Sequence, residues 1–349
     1  MFNRLSLQTS YYSCLMNYGS LKSLLYLLFV VALWSCEQND QKELVKLNGY
    51  AFGTTFNISF YDDEPQDFTD QIDSLFYLVN RSLSTYISNS DISKINGGDS
   101  NILVDDFFKE VFKKSEKIYA ETNGIFDPTI GILVNAWGFG PIEKKINNDS
   151  ASIKKFLKLV GFNNVQLKNG KVEKKYDSIY LDFNAIAKGY AVDIAGRFLE
   201  AQQIKDYLVE IGGEVRTRGI NTGKNAAWKI GIENPNFDGT RSIQKVIELK
   251  DESMATSGNY RKFTIDSVTG KKYAHIINTK TGYPCQSNLL SVSVIGKLDC
   301  ADVDGYATAL MAMTLEEATI FLEKHKELKS FIIYSDEENN LQTFTTSNF

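Results

Sequence analysis

The hydrophobic residues of this chain change period repeatedly, from every second residue to every third or fourth, and never settle into a fixed repeat. Residues 45–61, VKLNGYAFGTTFNISFY, alternate apolar and polar positions on both sides of Gly53, which predicts a strand, a tight turn and a second strand. Ile72, Leu75, Phe76, Val79 and Leu83 then recur at helical spacing over residues 68–84, and Phe107, Val111, Phe112, Ile118 and Tyr119 over residues 104–122. The polar stretch between them, STYISNSDISKINGGDSN, reads as a loop. Further helices are expected at residues 152–160, 185–202, 302–310 and 315–326. Strands are expected near Val165 and at residues 179–183, 207–211, 289–295 and 330–334, with a strand-rich stretch over 228–257. So irregular an alternation indicates an α+β (mixed α/β) fold rather than a strict βαβ series, in one compact unit over residues 44–349.

A formal net charge of -5, with Lys and Arg scattered along the chain, leaves no basic stripe to follow a phosphate backbone, so nucleic acid is not an expected partner. At 43% hydrophobic and 23% charged, the chain has enough apolar material for a large core and is neither disordered nor fibrous.

The N-terminus has a different character. Lys22 precedes an apolar run, residues 24–34, of about the length of a signal-peptide core and short of the roughly 20 residues that span a bilayer. It ends in Leu33-Trp34-Ser35-Cys36, similar to a lipobox, in which a small residue precedes the cysteine whose thiol takes a diacylglyceryl group; Trp34 stands where a small residue is usual. Residues 1–36 are therefore read as a signal peptide with Cys36 as the lipidation site and Met16 as a candidate start, and residues 37–43 as a polar linker. An uncleaved N-terminal anchor is the alternative, and either version places the folded part outside the cytoplasm. Of the four cysteines, Cys14 and Cys36 fall in this leader. Cys285 and Cys300 are read as isolated thiols, and with no CxxC pattern a structural zinc site is not supported.

Residues capable of chemistry are sparse. Only two histidines occur. His325 lies in EKHKE on a predicted helix and reads as a solvated surface residue, which leaves His275, at the head of HIINTKTGYP, as the candidate general base, or else a loop-capping histidine. In CADVDGYATALMAM, Asp304 and Thr308 stand four apart on one face of a predicted helix; two hard oxygen donors so placed suit Mg²⁺, although acids and threonines near a helix start also serve as caps. Asp302 is either a further donor or a first-turn acid. In YLDFNAIAKGYAVDIAG, Asp182 ends a predicted strand, the carbonyl near Ala185 faces outward in the turn, and Lys188 emerges about one turn into a helix. An anionic ligand with its metal and a structural Asp–Lys ion pair are both compatible with that arrangement. Gly212-Gly213 either lets backbone approach a ligand or makes a turn, and Thr256 and Ser257, without a GxSxG context, are at most phosphate or cofactor contacts.

In their order along the chain, GYAFGTTFNISF, LSTYISNSDISKIN, GIFDPTIGILVNAWGFG, LDFNAIAKGYAVD, VEIGGEVRTRG, WKIGIENP, ATSGNYRKF, HIINTKTGYP and DGYATAL resemble the ApbE-type FAD:protein FMN transferases. The resemblance runs from about Gly49 to Met313. It implies a compact two-lobed, T-fold-like unit that takes FAD as substrate with Mg²⁺ and transfers FMN to a Thr or Ser hydroxyl of a target protein, releasing AMP. The target would be a subunit of a membrane redox complex, reached by an enzyme lipid-anchored to the bacterial membrane and facing the periplasm. Carried onto this chain, the resemblance implies that Phe52, Tyr86, Ile125, Phe126, Asp127, Asp182, Lys188 and Ile277 bind the flavin nucleotide. It further implies that Ala185, Asp304 and Thr308 ligate Mg²⁺ and that His275 is the base. Thr279-Lys280 replaces the family's usual Pro-containing turn, and CADVD carries an extra acid. Hydrolysis of FAD to FMN and AMP, and flavin binding without chemistry, are the competing readings.

Overall fold

The computed structural model describes residues 42–142, 149–236, 238–259, 263–265 and 272–349. The expected signal peptide, Cys36 and most of the polar linker lie outside the described residues. Glu43–Phe349 forms one packed unit.

The first hairpin consists of β1 (Glu43–Ala51) and β2 (Thr54–Asp62), in antiparallel register from Glu43 opposite Asp62 to Ala51 opposite Thr54. Its turn, Phe52-Gly53, has φ of 52° and 74°, the left-handed pair whose twist matches a two-residue hairpin. Helix α1 (Thr69–Leu83) buries Ile72, Phe76, Val79 and Leu83, as the spacing predicts. The stretch read as a loop contains a short helix, α2 (Asp91–Asn96): Ser90 Oγ accepts from the Ser93 N–H at 3.1 Å, and Ile92 and Ile95 turn into the core. Next come α3 (Asp106–Glu121), α4 (Gly131–Ala136), α5 (Ser150–Leu157) and the small hairpin β3 (Val165–Lys168) with β4 (Lys171–Lys174).

Residues 179–183, expected as a strand, make only an isolated bridge between Tyr180 and Ile130. Their backbone is satisfied by loops instead: the Leu181 N–H donates to Asn96 Oδ1 and the Asp182 N–H to the Pro128 carbonyl, each at 2.8 Å. Then follow α6 (Ala187–Ala201), β5 (Asp206–Ile211), β6 (Glu214–Arg218), the ribbon β7 (Trp228–Glu233) with β8 (Ile243–Leu249), and β9 (Ser253–Gly258). A short pair, β10 (Phe263–Ile265) and β11 (Lys272–Ala274), precedes β12 (Leu289–Gly296), α7 (Cys300–Met311), α8 (Leu315–Lys324), β13 (Lys329–Ser335) and an edge strand, β14 (Leu341–Thr345).

Eight strands form one antiparallel sheet in the order β1-β2-β5-β6-β9-β12-β13-β14. Tyr207, Val209, Ile211, Val292, Val294 and Ile332 face the helices and share their core with Phe76, Val111, Ala191 and Val303. The residues between them, Val215, Met254, Ile295, Phe331 and Ile333, pack on the opposite face against Ile232, Ile247 and Leu249 of the ribbon. With both faces covered, even the serines of these central strands, Ser291 and Ser293 on β12 and Ser330 on β13, are buried. His325, read as solvated, instead caps α8 with its ring stacked on Phe321 at 4.1 Å between centroids and Nδ1 2.9 Å from Glu327 Oε1. Cys285 and Cys300 are free thiols.

Candidate active site

A cavity of about 820 Å³ opens where the loops before α4 and α6, the β5–β6 turn and the ribbon meet the cavity-facing side of α7. That volume is in the roughly 300–1,000 Å³ range of sites for cofactor-sized ligands. Tyr86, Ile125, Phe126, Asp127, Asp182 and Ile277 border it, as do Ala185, Lys188, His275, Asp304 and Thr308. Phe52 does not: it sits in the β1–β2 turn with its ring edge-on to Phe76 at 5.3 Å. Gly212 and Gly213 serve both purposes weighed for them, making the β5–β6 turn with φ of 61° and 106° and bordering the cavity. Thr256 and Ser257 reach it from β9, where Thr256 Oγ1 lies 2.7 Å from Ser293 Oγ.

The closest approach of α6 and α7 organises the polar end of the cavity. Gly189 is the third residue of α6, so its N–H has no acceptor within the helix, and it donates across to Asp304 Oδ2 at 3.0 Å. The Ala185 carbonyl, which precedes the helix cap, accepts no hydrogen bond among the described residues. Asp304 Oδ1 and Thr308 Oγ1 are likewise unengaged there. Glycine is required at position 189, because a Cβ would lie 2.5 Å from the Cys300 carbonyl oxygen and 2.8 Å from Asp304 Cβ. The Asp–Lys pair considered for Asp182 and Lys188 is replaced by another: Lys188 Nζ lies 2.5 Å from Oε1 of Glu214, the first residue of β6. Asp182 Oδ1 accepts from the Asn184 N–H at 2.8 Å, which shapes the turn into α6.

Burial and then the neighbouring Glu214 carboxylate push Asp304 up to about 8. Burial also raises Glu214, against the opposing pull of Lys188. For Lys188 burial works toward the neutral form, but the carboxylates of Glu214 and Asp304 outweigh it and hold the ammonium above its ordinary value. Burial pushes Asp127 to about 6, although its Oδ1 accepts from the Thr129 N–H and hydroxyl at 2.8 and 2.6 Å. His275 stands on the cavity wall, its ring edge-on to Phe139 with centroids 6.4 Å apart. Its loop is pinned by the Thr279 hydroxyl, which donates to the Gly124 carbonyl at 2.7 Å.

Behind α7 a second charged cluster fixes the start of the helix. Asp193 on α6 accepts from the Cys300 and Ala301 N–H groups at 2.8 and 2.9 Å, and Arg216 bridges Asp193 and Asp299 at 2.7 Å each. Asp302 belongs here, paired with Lys114 at 2.8 Å, and is therefore the first-turn acid rather than a cavity donor. Lys114, Arg216 and Arg197 outweigh the effect of burial and hold the Asp299 carboxyl well below the usual carboxylate range. Glu214 and the β7 segment Lys229–Glu233, to which the sequence alone assigns no role, also border the cavity. The signal available for Glu214 was its place in β6, where it shares a face with Arg216 while Val215 points to the opposite core.

Groups that can hold a phosphate, take a proton and ligate a cation thus share one cavity, and the scaffold that brings them together is that of the flavin transferases. The structure matches the flavin transferase ApbE of Vibrio cholerae with a TM-score of 0.77 and 32% identity, over 88% of this chain and 98% of that one. It matches the apo flavinyl transferase ApbE of Pseudomonas stutzeri at 0.78 and 28%, over 88% and 96%. A curated Vibrio cholerae protein named FAD:protein FMN transferase is 33% identical over 327 residues, 92% of this chain and 95% of the relative. The Escherichia coli K12 protein of that name is 30% identical over 301 residues, 81% and 84%. The model of the ApbE family matches residues 52–332. The chain belongs to the ApbE family.

Proposed function

We propose that this protein transfers FMN from FAD to a Thr or Ser hydroxyl of a target protein, with Mg²⁺ bound. The observation that carries the proposal is an Ala185 carbonyl left without a donor among the described residues, beside Asp304, Thr308, Lys188 and His275 on one cavity. The donor set fits the metal: a carboxylate, a hydroxyl and a carbonyl are hard oxygen ligands of the kind Mg²⁺ takes together with substrate phosphates. Among the described residues no group of three or more His, Cys, Asp or Glu could hold a metal. An ion at Ala185, Asp304 and Thr308 would therefore complete its shell from water and the diphosphate. When bound there, Mg²⁺ would supply charge neutralisation at the phosphate oxygens.

In the reaction, His275 takes the proton of the acceptor hydroxyl, whose oxygen attacks the FMN-side phosphorus of FAD. The bond between that phosphorus and the bridging oxygen breaks, and AMP leaves with the bridging oxygen. Lys188, kept cationic by its two carboxylate neighbours, steadies the negative charge that builds on the phosphates. Ile125, Phe126 and Ile277 offer apolar surface for the flavin ring, with Tyr86 at the rim. The lipobox-like Leu33-Trp34-Ser35-Cys36 supports an exported enzyme anchored through Cys36 and facing the periplasm, where the acceptor is a subunit of a membrane redox complex. The test incubates the protein with FAD, Mg²⁺ and a candidate acceptor. Equal amounts of AMP and covalently flavinylated, fluorescent acceptor are expected, and both should vanish with chelator. Free FMN in place of flavinylated acceptor would instead identify a hydrolase, and tight FAD binding without AMP a flavin carrier.

A further inference from the structure

Glu214 is a carboxylate to which the reaction above gives no part. It is 2% exposed and borders the cavity, with Oε1 on Lys188 Nζ at 2.5 Å. Its other oxygen, Oε2, is buried and has no hydrogen-bond partner among the described residues. A buried polar atom left unpaired costs about 1–3 kcal/mol, and more when charged, so Oε2 has to find its partner among the contents of the cavity. Charge narrows the choice of ligand. Glu214 and Asp304 share a single ammonium, Lys188, so when both are ionised the pocket holds one carboxylate more than that lysine can pair. The diphosphate oxygens cannot satisfy Oε2, because they are themselves acceptors. A cation, or a water held by one, can.

We propose that Glu214 belongs to the divalent-cation site: Oε1 fixes Lys188, and Oε2 faces the coordination sphere of the ion bound at Ala185, Asp304 and Thr308. One side chain then sets the spacing between the two positive charges that meet the diphosphate. The inference rests on the Mg²⁺ reading of the cavity and adds a residue to it.

The test titrates Mn²⁺ into the metal-free full chain in detergent, without FAD, and follows free Mn²⁺ by electron paramagnetic resonance. Glu214→Gln should weaken Mn²⁺ binding by about tenfold or more, the size of effect typical for groups that support a metal site. In chelator, the same variant should bind FAD as well as or better than the unmodified protein by flavin fluorescence, since a negative charge has left an anion site. Glu214→Asp should fall between the two in Mn²⁺ affinity. If Glu214→Gln kept Mn²⁺ affinity within twofold while Asp304→Asn lost it, Glu214 would be excluded from the cation site and the Mg²⁺ reading would stand. If neither variant changed Mn²⁺ binding, the Mg²⁺ reading would fall as well. Weaker FAD binding in chelator with unchanged Mn²⁺ affinity would assign Glu214 to Lys188 alone and overturn the proposal. Should Glu214→Gln fail to fold, the double variant Lys188→Gln with Glu214→Gln removes the ion pair as a whole and is held to the same Mn²⁺ criterion.

Discussion

Replacing Gly189 by alanine should damage the reaction far more than the fold. The added Cβ would meet the Cys300 carbonyl oxygen at 2.5 Å and its carbon at 2.7 Å, and these are backbone atoms of α7 that cannot rotate away. Relief requires the two helices to part by at least roughly half an ångström, and overpacking of this kind costs about 1–3 kcal/mol. Alanine in a helix recovers about 1 kcal/mol relative to glycine. The net destabilisation is therefore at most about 2 kcal/mol, a fall in Tm of several degrees for a domain of this size. Catalysis is more exposed, because Ala185 sits at the head of α6 while Asp304 and Thr308 sit on α7. Parting the helices spreads these oxygens and stretches the 3.0 Å hydrogen bond from Gly189 to Asp304. Misplacing reacting groups by about 1 Å can cost 10²-fold, so AMP release should fall by about 10- to 100-fold, with the Mg²⁺ midpoint moved to higher concentration. Steady-state AMP release across a Mg²⁺ series, with thermal melts of the same samples, measures both effects. A folded Gly189→Ala protein with rate and Mg²⁺ midpoint within twofold of the unmodified enzyme would refute the reasoning.

His275→Ala should lower kcat by about 10²- to 10⁴-fold, the usual worth of a general base, with FAD affinity nearly unchanged by fluorescence titration; full rate would remove His275 from that role. Between about pH 5 and 8 the metal-free protein should lose stability as pH rises, because carboxyls raised in the folded state hold protons there that the unfolded chain has already released. Asp127 and Asp193, both near 6, act in the lower part of that window and Asp304, near 8, in the upper part. Asp304→Asn should flatten the upper part, and melting temperatures that climb with pH would contradict the assignment. Asp193→Ala leaves Arg216 and the Cys300 and Ala301 N–H groups without a partner they now have, and should cost about 3 kcal/mol or more in urea denaturation. Cys36→Ser should move the protein from the membrane to the soluble fraction, and a mature N-terminus without lipid mass in the unmodified protein would rule out the anchor.

How legible each feature was in the sequence depended on how local its cause is. Asp304 and Thr308 could be read as a pair because helical periodicity alone puts them on one face, and His275 stood out because histidine is so rare here. The carbonyl of Ala185 was marked locally only as part of the turn into α6; that Asp304 stands beside that turn depends on a hydrogen bond between residues 115 positions apart. Glu214 was hidden for the same reason: its partner Lys188 lies on another element, and strand alternation says which face a side chain takes but not what it meets there. The misread strand at 179–183 has strand-like composition, yet Asn96 and Pro128 satisfy its backbone from outside any ladder. Polar α2 and polar β14 were missed in the opposite sense, α2 because six residues are too few to show a helical period and β14 because nearly all of it is exposed.

The two charged clusters flanking α7 show how differently the same residue types are used. Behind the helix each carboxylate has a strong donor: Asp193 has Arg216 and two backbone N–H groups, Asp299 has Lys114, Arg197 and Arg216, and Asp302 has Lys114. That side is fully paired, and it holds the helix start in place. On the cavity side, Glu214 and Asp304 share Lys188, and acceptor oxygens on Ala185, Asp304, Thr308 and Glu214 are left over. Unpaired acceptors are costly inside a protein, while the paired cluster behind the helix fixes the start of α7, the helix that carries Asp304 and Thr308. Pairing on one side thus anchors the helix that is incompletely paired on the other, and an incomplete set of hard oxygens beside a lysine is what a cation carrying a diphosphate would complete.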